Sequence, residues 1–291
     1  MEAGTAVRIP PATSASGYAG FGSCFALMGD LDGNGFGDLM VGHRGAGSFV
    51  GSGAVDILYL AKGGAVKSRV THSKTAGAFQ YRTRDLDLLG DACVCSLDTD
   101  LDGDSSTIEC FVSATGDWTG GVAYERYAQG AVWSVRFTKS SGASAISPVA
   151  FNNAYLPIRN LGFVNNFEFG SALAILGGSA SALRLAVGMQ GHSIDSNGDR
   201  DGKVHILTIS SSGRAVSGVG PALSRESSNM PSAIKTALSS SRDLYIGAAL
   251  VSAGDIDGDG SPDLFVGAFG VTGIRTKQGA SSYSCSHLRA T

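Results

Sequence analysis

The feature that most constrains this chain is an internal repeat whose parts keep a fixed phase. A strand opening of the form Gly-x-Val occurs as Gly53-Ala54-Val55-Asp56-Ile57-Leu58 and Gly130-Ala131-Val132-Trp133-Ser134-Val135. It returns as Gly202-Lys203-Val204-His205-Ile206-Leu207, and weakly as Gly279-Ala280-Ser281-Ser282-Tyr283. The intervals between those glycines are 77, 72 and 77 residues. A second element in the same phase reads Asp38-Leu39-Met40-Val41-Gly42, Glu109-Cys110-Phe111-Val112-Ser113, Leu183-Arg184-Leu185-Ala186-Val187-Gly188 and Asp263-Leu264-Phe265-Val266-Gly267. A third lies upstream of each: Phe21-Gly22-Ser23, Leu89-Gly90-Asp91, Phe169-Gly170-Ser171 and Ile246-Gly247-Ala248. Self-similarity at a fixed period identifies a repeat architecture before any local reading does.

Each unit therefore reads as a strand, a tight loop, an apolar strand, a variable loop and a Gly-x-Val strand. Apolar, β-rich runs bounded by glycine turns are strand signals, and no segment sustains the 3.6-residue period of a helix. One such sheet cannot bury both of its faces. Several stacked face to face can, and radial repetition of small sheets is the propeller solution. The expectation is an all-β chain folded as a β-propeller of about four blades, with units at about residues 17–62, 85–139, 161–210 and 242–285. A β-sandwich with coincidental spacing would have to explain three phased elements over four units. The Ser/Ala/Gly-rich stretches at 140–160 and 214–242 read as connections, the latter with room for a short helix.

Composition agrees. Of 291 residues 42 are glycine, 43% are hydrophobic and only 16% are charged, a balance suited to short strands and tight turns. The formal net charge of −3, without a Lys/Arg run, gives no footprint for nucleic acid or an anionic membrane. No stretch reaches the roughly 18 apolar residues that a membrane helix needs, and residues 1–20 hold no apolar core of a signal peptide. The five cysteines, Cys24, Cys93, Cys95, Cys110 and Cys285, show no Cys-x-x-Cys spacing. One bridge among Cys93, Cys95 and Cys110 is open, but buried free thiols are the expectation.

The loops between the first and second strands carry the chemistry. In the first unit the loop runs Asp30-Leu31-Asp32-Gly33-Asn34-Gly35-Phe36-Gly37-Asp38, and in the fourth Asp255-Ile256-Asp257-Gly258-Asp259-Gly260-Ser261-Pro262-Asp263. Oxygen-bearing side chains stand at positions 1, 3, 5 and 9 of both, and position 7 (Phe36 or Ser261) would add a backbone carbonyl. Calcium takes 6–8 oxygen ligands from a loop that glycines let curl round it. Carboxylates crowded this closely repel unless a cation lies among them. The plainer reading is an acidic turn whose aspartates cap their own backbone. A modified site is expected in the second unit, from Asp100, Asp102 and Asp104 with Glu109 one residue late. The third unit has Gly177-Gly178-Ser179-Ala180-Ser181 in this place and no carboxylate. The cluster Asp195-Ser196-Asn197-Gly198-Asp199-Arg200-Asp201 reads as a solvated turn, since Arg200 adds a positive charge and no ninth-position acid follows.

These residues resemble the FG-GAP repeats of integrin α-subunit propellers. The resemblance rests on Phe21-Gly22, the loop Asp30 to Asp38 and Leu39-Met40-Val41-Gly42. It recurs at Phe169-Gly170, and at Asp255 to Asp263 followed by Leu264-Phe265-Val266-Gly267-Ala268-Phe269, with phenylalanine where the family usually has proline. It spans about residues 17–285 and is degenerate in the second and third units. It implies a ring of seven blades, calcium loops on one face, and a protein partner on the other. It also implies an extracellular or cell-surface setting. Four units of about 75 residues use up the chain, so an arc of a larger ring is expected more than a self-contained ring of four. Such an arc would expose apolar blade faces and self-associate.

An enzyme is not expected. His43, His72, His192, His205 and His287 are scattered, no nucleophile elbow or phosphate cradle is present, and the paired carboxylates belong to the loops. His205 reads as an exposed strand residue. The expectation is a calcium-binding module for adhesion or extracellular protein recognition, with the ion as a structural staple. The alternative is a lectin-like propeller in which Trp118, Tyr124 or Trp133 stacks on a sugar, although core packing accounts more simply for Trp133.

Overall fold

The computed structural model describes residues 20–46, 51–97, 105–118, 128–140, 144–152, 154–161, 167–179, 182–193, 199–210, 213–228, 243–270 and 286–289, with residues 9 and 236. Four antiparallel sheets follow one another along the chain, each ordered across the sheet as in the sequence. The first holds β1 (Phe21–Gly29), β2 (Asp38–His43), β3 (Ala54–Leu60) and β4 (Val66–Ser73). The second holds β5 (Leu89–Cys95), β6 (Thr107–Ala114), β7 (Ala131–Thr138) and β8 (Ala145–Phe151), followed by one helical turn, α1 (Leu156–Arg159). The third holds β9 (Phe169–Ser179), β10 (Ala182–Met189), β11 (Lys203–Ser210) and β12 (Val216–Val219). The fourth holds β13 (Ala249–Gly254), β14 (Asp263–Gly267) and β15 (Ser286–Arg289).

The sheets are blades of a propeller-like arc that does not close. Their first strands pack in series, β1 on β5, β5 on β9 and β9 on β13, and together line a central cavity of about 580 Å³. The three hydrophobic cores are the three spaces between blades. Residues paired across a ladder share a face, so Ala26, Met40 and Ile57 face forward from the first blade. Cys93, Val112 and Trp133 face back from the second, and the two sets meet in one cluster. The second and third blades meet through Phe111, Val132, Leu173 and Leu185. The third and fourth meet through Ala174, Ala186, Leu250 and Leu264. Because middle strands are covered on both faces, β3, β6 and β7 are buried almost throughout and are mostly apolar.

The recurrent Gly-x-Val glycine is the joint between blades. Gly53 bridges Leu89, Gly130 bridges Phe169 and Gly202 bridges Ile246, each in parallel with the strand that opens the next blade. Their φ angles are 81°, 88° and 77°, and a Cβ on any of them would lie 2.1–2.2 Å from backbone atoms of that next strand. Left-handed backbone and close approach both require glycine here.

Three findings depart from the sequence reading. Each of the first three sheets gains a fourth strand, with β8 and β12 lying inside stretches read as connections. Cys24–Cys93 and Cys95–Cys110 are disulfides, where free thiols were expected. The first ties β1 to β5 across a blade interface, and the second joins directly paired positions of β5 and β6. His205 is buried, 4% exposed, because the face it shares with Val187 abuts the second blade. The fourth Gly-x-Val segment, 279–283, lies outside the described residues.

Candidate metal centre

Two acidic loops are built alike. Each joins the first strand of a blade to the second, β1 to β2 and β13 to β14. In each, three carboxylates offer oxygens that all lie within 4.8 Å of one another: Asp30, Asp32 and Asp38 in one, Asp255, Asp257 and Asp263 in the other.

Backbone hydrogen bonds impose the curl. The Asp30 carboxylate accepts from the N–H groups of Asn34 (3.0 Å) and Gly35 (2.7 Å). Asp255 accepts from Asp259 (3.0 Å) and Gly260 (2.9 Å), and also from Gly258. The fifth residue's side-chain oxygen accepts from the seventh N–H, Asn34 from Phe36 and Asp259 from Ser261, both at 2.8 Å. The ninth residue accepts from the second, Asp38 from the Leu31 N–H and Asp263 from the Ile256 N–H, again at 2.8 Å. The fourth and sixth residues are glycines with φ of 73° and 86° in the first loop and 75° and 86° in the fourth. Nothing lies within 4 Å of where their Cβ atoms would be, so glycine is needed here for backbone conformation rather than for space.

Asp38 and Asp263 are buried while Asp30, Asp255 and Asp257 are exposed, so each triad is an open cup with a buried floor. Asp32 Oδ1 is buried and without a hydrogen-bond partner. An all-oxygen donor set with an unsatisfied buried carboxylate oxygen fits a hard cation. The first loop holds one contact that the sequence did not reveal. Lys67 of β4 donates from Nζ to Asp32 Oδ2 at 2.8 Å, and this ion pair holds the Asp32 carboxyl below its usual range. Lys67 lies on a fourth strand that carries no sequence signal of its own.

The remaining acids divide. Asp100, Asp102 and Asp104 lie outside the described residues. Glu109 sits in β6 at the register position of Asp38, where Arg136 Nε donates to one of its oxygens at 2.7 Å and Ser134 Oγ to the other at 2.5 Å. In the third blade β9 turns directly into β10 and Arg184 takes the place of the ninth-position acid. In the cluster from Asp195 to Asp201, residues 194–198 lie outside the described residues and buried Asp201 pairs with Arg225 at 3.0 Å.

Comparison with known families finds the FG-GAP repeat over residues 243–283, the stretch that contains the fourth blade's joint, its acidic loop and β14. No curated protein matches the chain.

Proposed function

We propose that this chain, which carries an FG-GAP repeat, is a calcium-binding propeller module for adhesion or extracellular protein recognition, and not an enzyme. The observation that carries the reading is the pair of carboxylate triads, which share four backbone hydrogen bonds at the same positions in two loops 225 residues apart. In the first blade Asp30, Asp32, Asn34 and Asp38 would hold the ion, with the Phe36 carbonyl. In the fourth, Asp255, Asp257, Asp259 and Asp263 would do so, with the Ser261 carbonyl. Calcium would offset most of each triad's negative charge and lock a hairpin to the blade's inner strand. Affinity in the range of about 10⁻⁴–10⁻³ M suits an extracellular module. Two disulfides suit an oxidising compartment, and no helix among the described residues is long and apolar enough to cross a membrane.

The partner would use the face opposite the acidic loops. Among the described residues, the six non-glycine residues with positive φ (Tyr81, Leu86, Leu88, Glu168, Asp243 and Tyr245) lie in the blade-to-blade connections at that end. Backbone strain of this kind is costly and gathers at functional surfaces. Tyr81 is exposed, Tyr245 stacks on exposed Phe269, and Arg200 lies over the Tyr245 ring. Tyr, Trp and Arg are the side chains most enriched at binding hot spots. The carbohydrate alternative is weaker. Trp133 is in the core, Trp118 has the Arg84 guanidinium over its ring at 4.6 Å, and Tyr124 lies outside the described residues.

The test is a thermal melt in calcium and in chelator. Calcium should raise the midpoint, and Asp257→Ala should lower it in calcium while changing little in chelator. Equal loss in both conditions would sink the staple idea.

A further inference from the structure

The first acidic loop contains Asn34 followed by Gly35, the dipeptide at which an asparagine most readily reacts with its own backbone. The main-chain nitrogen of the second residue attacks the side-chain carbonyl carbon of the first and closes a five-membered ring. Glycine, without a Cβ, leaves that nitrogen unhindered. Three things slow this reaction in an ordinary chain. The nitrogen holds its proton, the carbonyl oxygen must take up charge, and the amide is free to turn away.

The loop acts on all three. The Gly35 N–H donates to Asp30 Oδ2 at 2.7 Å, so a carboxylate sits on the proton that must leave. A base within hydrogen-bond reach of the proton it takes is the geometry of general base catalysis. The Phe36 N–H donates to Asn34 Oδ1 at 2.8 Å, where charge develops as the ring closes, and a main-chain donor so placed serves as an oxyanion hole. Asn34 Nδ2 donates to the Leu60 carbonyl oxygen at 2.8 Å. That bond fixes the amide plane and, with the Phe36 contact, settles which side is oxygen and which nitrogen. Leu60 belongs to β3, so the blade and not the loop alone holds the amide. Gly35 is exposed, and nothing lies within 4 Å of where its Cβ would be, so water reaches the ring.

We propose that Asn34-Gly35 is a self-modifying site, at which the first loop converts its own asparagine to an acid with Asp30 as the base. Asp30 takes the Gly35 N–H proton as that nitrogen bonds to Asn34 Cγ. The Cγ–Nδ2 bond then breaks, Asp30 returns the proton to Nδ2, and ammonia leaves. One water opens the cyclic imide. Attack at Cγ restores the backbone with an aspartate, and attack at the main-chain carbonyl gives isoaspartate, whose chain runs through the side chain. The balance is one water in and one ammonia out, with no change of oxidation state. The fourth loop already shows how an aspartate sits at the fifth position. There Asp259 accepts from the Ser261 N–H at 2.8 Å and the Gly260 N–H donates to Asp255 Oδ2 at 2.9 Å. The aspartate product therefore gives the first loop the acids that the fourth carries at positions 1, 3, 5 and 9. Any gain in cation affinity from that charge rests on the proposed calcium binding, but the conversion itself does not.

Peptide mapping by mass spectrometry tests this, on the full chain held at neutral pH in chelator. The fraction of Asn34 converted is followed in time beside a free peptide of residues 29–38. Asn34 in the folded chain should convert about 100-fold faster than in the peptide, the low end of what a positioned base supplies. Asp30→Asn leaves an acceptor for the Gly35 N–H but no base, and should bring the rate back to near the peptide's. A melt matching the parent's would verify its folding, and the comparison of parent with peptide stands without it. Conversion in the folded chain at or below the peptide's rate overturns the proposal, because the same hydrogen bonds would then guard the amide. So does a fast conversion that Asp30→Asn leaves unchanged. Absence of a calcium-dependent melt would bear on the metal reading alone, since no metal enters this comparison.

Discussion

Lys67 bears directly on the third-position ligand of the first loop. Its ammonium sits on Asp32 Oδ2, where a divalent cation would gain its third-position ligand, so ion binding in the first loop must displace it. Lys67→Ala should therefore tighten the first site several-fold and leave the fourth unchanged, as calorimetric calcium titration of the single-loop variants would read. Unchanged affinity would mean that the ammonium swings away at no cost. Asp87 is a residue of another kind. Burial, with the charge of Asp117 second, pushes its carboxyl up to about 7. A folded pKa above the unfolded 3.8 means that this one group's contribution to stability is full below about pH 4 and is lost as pH rises through 7. Asp87→Asn should thus stabilise the chain at pH 8 by up to ~4 kcal/mol and leave it unchanged at pH 4. Denaturant unfolding at the two pH values checks this, and an equal gain at both would assign the effect to something other than charge.

Among elements, the joints between blades are the most exacting. Gly130→Ala places a Cβ 2.2 Å from the Phe169 carbonyl oxygen at a φ of 88°, and should cost at least about 2 kcal/mol in a chemical melt. Neighbouring Ala131→Gly, which meets no such wall, is the control. The Cys24–Cys93 bridge closes a span of 69 residues between two inner strands. Replacing both cysteines by serine should cost about 4 kcal/mol on loop entropy alone, and reductant should destabilise the parent but not the variant by that route. The middle strands were legible because both of their faces are buried, which makes them mostly apolar. The outer strands were not. Val66–Ser73 is half-buried or exposed at every residue but His72 and shows no clean alternation, and Ala145–Phe151 contains Pro148, which is tolerated because β8 is an edge strand.

At the scale of the whole molecule, burial of imidazoles sets the acid response. His72 and His192 are pushed down to about 4 and His205 to about 3, in each case first by burial. Each folded pKa lies below the unfolded 6.5, so their stabilising effect is full above 6.5 and is lost as pH falls toward 4. Asp87 works in the opposite sense over the same window, and three groups outweigh one. The midpoint of thermal unfolding should fall from pH 6.5 to pH 4, and fall more steeply in Asp87→Asn. A flat profile would mean that the histidines find water or partners that keep them charged.

The sequence by itself determined the repeat, the order of inner and middle strands, the two acidic loops and the residues in them. All of these are written in local terms: glycines where φ must be positive, oxygens at fixed spacing, apolar runs where both faces are covered. What lies on the far side of an interface is not local. Only the tertiary structure decided that Cys24 meets Cys93, that Glu109 is held by Arg136, that Lys67 reaches Asp32, and that His205 is buried. Each of those facts depends on which strand or blade is brought alongside, and pairing across 27 to 69 residues of chain is fixed by packing, not by any signal in the residues themselves.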